Sequence, residues 1–168
     1  MTRCVYSFRP VQTKDLPLIS RWLDRPHVAE WWDDADGLAE IEEAMREPAT
    51  EPFIVSCDGR PIGYQQCYDP HAYPDHPFGD QPPGTYGIDQ FIGEADYVGR
   101  GHGSAFIAAF VDLLFARGAP RIVADPDHRN ARAIRAYGKA GFEAVERHLT
   151  IYGDTLLMAR DRAPRIHA

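Results

Sequence analysis

The order of elements predicts an α/β (α+β) fold, a mixed central sheet of about seven strands flanked by helices. Three observations carry that reading. Short alternating apolar runs mark strands, helical patterns fall between strands in the second half, and a glycine-rich turn at Val98–Gly103 opens a strongly apolar helix. Residues 1–168 read as a single domain, with no internal repeat and no low-complexity tract.

Cys4 to Arg9 alternates in the manner of a strand. Thr13 stands as the cap of a helix running through Trp22 and Leu23, with Leu16, Ile19 and Leu23 as its apolar stripe. Pro26 opens a short helix carrying His27, Val28, Glu30, Trp31 and Trp32. A polar helical segment, Leu38 to Arg46, ends before Pro48. Phe53–Cys57 and Ile62–Tyr68 flank Asp58-Gly59, a hairpin turn. Asp69 to Gly84 is irregular, with five prolines and two glycines. A loop of that length within a compact domain is more often functional or mobile than a mere connection.

Thr85 to Ile92 reads as a further strand. Ser104–Ala116 is apolar almost all round, which predicts a helix buried on most sides and stopped by Gly118. Arg121–Ala124 is a short strand and Asn130–Ala140 a helix closed by Gly141. Phe142–Thr150 and Thr155–Arg160 complete the sheet.

Composition narrows the function classes. The chain has 168 residues, 44% hydrophobic and 26% charged, enough for a full core. A net charge of -7 argues against nucleic acid or an anionic membrane as partner, because both are polyanions. Cationic partners suit it better. Cys4, Cys57 and Cys67 are odd in number and form no CxxC pair, so a reducing compartment without a disulfide framework is expected. Cys57 and Cys67 fall in strands and read as packing residues. No apolar run approaches the about 20 residues that span a bilayer, and the start of the chain lacks the layout of a signal peptide. The expected location is the cytoplasm, as a monomer or a homodimer. His71 and His76 lie in the proline-rich loop without a tetrahedral His/Cys set, so no metal is expected. His27 reads as a helix-start residue.

Val98-Gly99-Arg100-Gly101-His102-Gly103-Ser104 places glycines where backbone must approach a partner closely, at a helix N-terminus suited to phosphate. His102 is expected to face solvent or phosphate. Two phosphate-binding patterns fail here: the turn does not end in Gly-Lys-[Ser/Thr], and it does not follow the first strand. Farther on, Asn130, Ala133, Ile134 and Tyr137 share one helical face in Asn130–Phe142.

Taken together, the two segments resemble the GCN5-related N-acetyltransferase superfamily. That family joins a V/R/Q-x-x-G-x-G/A loop to a later N-x-x-A-x-x-x-Y-x-K-x-G-F helix. Gly101 and Gly103 match the loop, and every position of the helix pattern is matched. Val98 departs from the usual Arg or Gln and offers no polar side chain to a pyrophosphate. The resemblance implies a splayed sheet and acetyl-coenzyme A as co-substrate. It places the cofactor at Val98, Gly99, Arg100, Gly101, His102, Gly103, Ser104, Asn130 and Ala133. Backbone from Gln90, Phe91 and Ile92 would polarise the thioester carbonyl, and Tyr137 would protonate the departing thiolate. A phenol near pKa ~10 giving its proton to a thiol near ~8.5 is uphill on reference values, yet feasible when concerted with leaving. A core tyrosine would occupy the same position.

Further stretches, His27–Trp32, Pro61–Tyr68, Tyr86–Gln90 and Asp125-Pro126, resemble the aminoglycoside 6'-N-acetyltransferases. An amine attacks only when neutral, so a carboxylate that binds the cation and takes its proton is needed. Asp89 is the candidate base, since aspartate in mid-strand is otherwise unfavourable. Asp125, ending its strand, would hold an amine or hydroxyl of the acceptor; a turn residue before Pro126 is the alternative. Gln66 and Tyr68 alternate to one face, and Trp31 and Trp32 would stack on sugars or pack in the core. The expected acceptor is a small polycationic amine of the aminoglycoside kind. Siderophore-pathway lysine acylation, acetylation of a protein amine and a non-catalytic coenzyme A module stand as alternatives.

Overall fold

The computed structural model describes residues 3–32, 36–151 and 153–164. Its strands are β1 (Tyr6–Pro10), β2 (Thr50–Cys57), β3 (Arg60–Tyr68), β4 (Tyr86–Ile92), β5 (Arg121–Ala124), β6 (Glu143–Thr150) and β7 (Gly153–Asp161). The helices are α1 (Leu16–Leu23), α2 (Pro26–Ala29), α3 (Gly37–Ala44), α4 (His102–Ala116) and α5 (Ala131–Lys139). The strands form a seven-stranded mixed sheet in the order β1-β2-β3-β4-β5-β7-β6. β4 and β5 pair in parallel, at Tyr86↔Ile122 and Gly87↔Val123. Among the described residues, no helix is long and apolar enough to cross a membrane.

Two compact units emerge. The first comprises residues 1–68 and 88–106. Its ladder starts from the Asp58-Gly59 turn, where both residues adopt positive φ (49° and 84°) as a two-residue hairpin demands. The core gathers Ile19 and Trp22 of α1, Val28 of α2, Ile41 of α3, Ile54 of β2, Tyr64 of β3 and Phe91 of β4. Thr13 does not cap α1. It begins a 3-10 turn, Thr13–Asp15, for which Gln12 and Asp15 form a capping box. Asp15 also takes two hydrogen bonds from Arg9 at 2.8 Å, which hold its carboxyl below the usual aspartate range. A buried carboxylate needs such partners.

The disulfide between Cys4 and Cys57 departs from expectation, which treated Cys57 as packing. The register pairs Tyr6 with Cys57, so Cys4, two residues before Tyr6, reaches the same neighbourhood. The Cα atoms are 5.4 Å apart, inside the usual range. A sequence alone does not reveal which strand lies beside which. Cys67 lies outside the disulfide and is buried, as packing predicts, with its thiol donating to Glu51 Oε2 at 3.4 Å.

The second unit comprises residues 69–87 and 107–168. Its cluster of Phe78, Val123, Leu157 and Ala159 draws one residue from the proline-rich loop into the core. That loop is anchored, and its histidines serve it: His71 Nε2 donates to Gln81 O at 2.8 Å, and His76 Nδ1 accepts from the Phe78 amide at 3.0 Å. Burial lowers the pKa of His76, in keeping with that acceptor role. α4 is less enclosed than its composition predicts: Leu113 is 49% exposed, and Phe115 is half-buried beneath the Arg160 guanidinium. Overall apolarity overstated the buried arc.

Gly93, just past β4, admits no side chain, because a Cβ there would collide with the buried Trp22 ring. Gly93→Ala is expected to destabilise by about 1–3 kcal/mol, the range for overpacking. Gly138→Ala, in α5 with open space around it, should instead stabilise by up to about 1 kcal/mol. Urea denaturation midpoints of both variants test the contrast.

Candidate active site

The end of β4 is held from three directions. Gly63 of β3 lies so close to the Phe91 carbonyl that any Cβ would collide with it. His27, at the start of α2, donates through Nε2 to the Ile92 carbonyl at 2.9 Å. Trp22 lies on Gly93 and donates its indole N–H to Glu94 Oε1 at 3.1 Å. Glu94 and Gly93 in turn donate backbone amides to Ile62 O, at 3.1 and 2.8 Å. His27 thus does more than start a helix. Backbone fixed this way is what a preorganised charge-stabilising site requires.

Asp89 sits three residues before that clamped end, half-buried. Tyr64 donates its hydroxyl to Gln66 Oε1 at 2.7 Å, and Gln66 Nε2 donates to Asp89 Oδ2 at 2.9 Å. Burial raises the Asp89 pKa, and the bond from Gln66 opposes that rise. Burial, reinforced by the charge of Asp89, raises the Tyr64 phenol as well, keeping it a donor. Gln66, expected at the acceptor, is thus also the residue that orients the carboxylate. On the other side of β3, fully buried Gln65 donates to Gln90 Oε1 at 3.1 Å and to Asp89 O at 3.3 Å. Gln65 and Tyr64 are parts of this site that sequence reasoning missed. Their spacing matches any alternating strand, so nothing marked them.

The two tryptophans divide. Trp32 packs edge-on against Tyr64 and Phe91, at 5.8 and 5.0 Å between centroids, whereas Trp31 is 38% exposed. Tyr68 is buried on β3. Gly99 and Gly101 take φ of 73° and 84°, a region closed to most side chains, immediately before α4 opens. Arg100 and Gly101 are exposed, and the amides of a first helical turn suit a phosphate. His102, the first residue of α4, is half-buried, with its Nδ1 2.7 Å from the Tyr6 hydroxyl.

In the second unit, Asn130 caps α5, accepting from the Ala133 amide at 3.1 Å. The preceding loop is held by Asp127, which accepts from Arg129 at 2.9 Å and whose carboxyl is held down to about 2 by that cation. This cap orients α5 so that Tyr137 is buried edge-on to Phe142. Ala133 and Asp125 are half-buried.

A family model described as "Acetyltransferase (GNAT) domain" matches residues 11–149. The chain belongs to the GNAT acetyltransferases. Within that family it is 34% identical over 166 residues to the aminoglycoside N(6')-acetyltransferase type 1 of Klebsiella pneumoniae, covering 93% of this chain and 83% of that one. A crystal structure of aminoglycoside acetyltransferase AAC(6')-Ib with coenzyme A and kanamycin is 33% identical, with a TM-score of 0.85 over 94% of this chain and 95% of that one. Lysine N-acyltransferase MbtK of Mycobacterium tuberculosis is 27% identical over 86% of this chain and 72% of its own. GNAT membership accounts for the otherwise unusual pairing of a glycine turn with a capped Asn130 helix.

The Asp89 network makes a prediction that needs no substrate. Gln66→Leu removes the one interaction that lowers this carboxyl's pKa, so the pKa should rise further. Carbon-detected NMR titration of the aspartate carboxyls in both proteins reads the change; an unmoved or lowered Asp89 resonance midpoint would refute the assigned network.

Proposed function

We propose that this GNAT enzyme is an aminoglycoside 6'-N-acetyltransferase, acting in the cytoplasm by direct transfer from acetyl-coenzyme A within a ternary complex. The observation that carries the reading is Asp89: a half-buried carboxylate, oriented through Oδ2 by Gln66, immediately before the clamped backbone Gln90–Ile92. The 34% identity to the Klebsiella pneumoniae enzyme over nearly the whole chain supports the choice of acceptor. The net charge of -7 suits a polycationic substrate.

In this reading the acceptor's ammonium pairs with Asp89, which takes its proton directly or through a water. The neutral nitrogen attacks the thioester carbonyl carbon, and amides of Gln90–Ile92 meet the oxygen as charge develops on it. The carbon–sulfur bond breaks, Tyr137 supplies the proton that the thiolate gains, and the proton that the attacking nitrogen sheds on becoming an amide passes to solvent, from which the phenol is restored. Val98–Ser104 and the Asn130–Ala133 turn would bind the pyrophosphate end of the donor. Trp31, Tyr68 and Asp125 are the acceptor contacts of this proposal. No nucleophilic side chain beside a His–carboxylate pair is required, so no acyl-enzyme is invoked.

The base must be ionised. A carboxyl whose pKa is raised leaves activity falling, as pH drops, at a higher pH than an ordinary aspartate would set. The similarity to a lysine N-acyltransferase favours one second reading, acylation of a lysine-type amine.

Thiol release from acetyl-coenzyme A, measured with aminoglycosides carrying a 6'-amine or a 6'-hydroxyl, tests the proposal. Release should require the amine. Asp89→Asn and Tyr137→Phe should each lower kcat by about 10²–10⁴-fold while barely changing donor affinity. Equal loss of turnover and donor binding would remove both residues from their roles, and release only with lysine derivatives would select the second reading.

A further inference from the structure

A second cluster of reactive side chains lies in the first unit, separate from Asp89. Cys4, Cys57 and His102 bring two sulfurs and a ring nitrogen within 4.8 Å of one another. They come from three places in the chain: the residues before β1, the end of β2 and the first position of α4. Cys57 is buried, whereas Cys4 and His102 are half-buried and leave an approach from solvent. Tyr6, opposite Cys57 in the β1–β2 ladder, engages His102 Nδ1 through its hydroxyl at 2.7 Å. Tyr97 packs on the same imidazole, with centroids 4.9 Å apart. An imidazole that ligates a metal is usually fixed in this manner, with one nitrogen hydrogen-bonded and the other carrying the free lone pair.

We propose that the Cys4–Cys57 pair, once reduced, binds a thiophilic divalent cation of the Zn²⁺ type together with His102. Two thiolates and an imidazole are a donor set that Zn²⁺ favours, and three protein ligands leave the fourth tetrahedral position to water. Reduction by a dithiol cleaves the sulfur–sulfur bond, delivers two electrons and two protons, and leaves the reductant as its own disulfide. Cation binding then releases the two thiol protons. Disulfide and cation are therefore mutually exclusive occupants of one place. No step of acyl transfer passes through the cation, which is a ligand of the fold and not a cofactor of the reaction. Its reach is nonetheless specific: His102 stands between Gly101 and Gly103, so the cation ties the glycine turn to β1 and β2.

The test uses protein reduced with a phosphine, which is then removed, and titrated with Zn²⁺ alone by calorimetry. Thiol counting before and after reduction establishes that Cys4 and Cys57 have been freed. Reduced wild type should take up one Zn²⁺ per chain. Tyr6→Phe, which keeps the ring and the disulfide, should weaken uptake by about 10–100-fold, the cost of a lost outer-shell partner. Cys4→Ser and the oxidised protein should lose more than that. Equal uptake by reduced wild type and Cys4→Ser would overturn the site, as would a Cys4–Cys57 bond that cannot be reduced in the folded protein. Neither result bears on acceptor choice, which the thiol-release assay decides separately.

Discussion

The immobility of one short piece of backbone, the end of β4, is what the rest of the first unit is arranged around. A charge that develops for an instant during reaction is stabilised only by dipoles already in place, because reorganising them costs what their interaction would gain. Three unrelated contacts remove that freedom here. Gly63 lets β3 approach the Phe91 carbonyl, His27 ties down the Ile92 carbonyl, and Trp22 closes over Gly93. The contacts come from β3, α2 and α1, so two helices and a strand converge on a few peptide units. Much of the hydrophobic cluster that unites Trp22, Tyr64 and Phe91 is support for this convergence.

The electrostatics of Asp89 follow from the same packing. Removing a carboxylate from water favours its protonated form, and a donor restores part of the balance. Gln66 is that donor, and Tyr64 sets which end of the Gln66 amide faces the carboxylate. The position is thus tuned from both sides, by burial upward and by one hydrogen bond downward. A carboxylate of this kind holds its proton more readily than a surface aspartate does, which suits the base proposed for it.

Most elements were legible because their signals are local. Asp58-Gly59 dictates a tight hairpin, Asn130 and Gly141 bracket α5, and the alternation in Ile62–Tyr68 marks β3. Asp89 stood out for a related reason: a charge in mid-strand violates a local preference. What could not be read depended on partners distant in sequence. The Cys4–Cys57 bond needs the register of β1 on β2, and Gln66 faces Asp89 only because β3 lies beside β4. The exposed Leu113 has the same origin, since periodicity cannot say which flank of an all-apolar helix meets water. Thr13 misled because a hydroxyl before a helical pattern is a common cap, while Gln12 and Asp15 here satisfy those amides.

Phe78 divides the proline-rich loop into unequal parts. This single side chain is sunk among Val123, Leu157 and Ala159, and most of the stretch around it is surface. Such a segment is under two kinds of selection at once. Phe78, with the buried Pro70, answers to folding, while many of the neighbours answer to whatever meets the loop from outside. A lineage can therefore exchange much of the loop's chemistry over time without renegotiating the core, provided that it keeps the anchor.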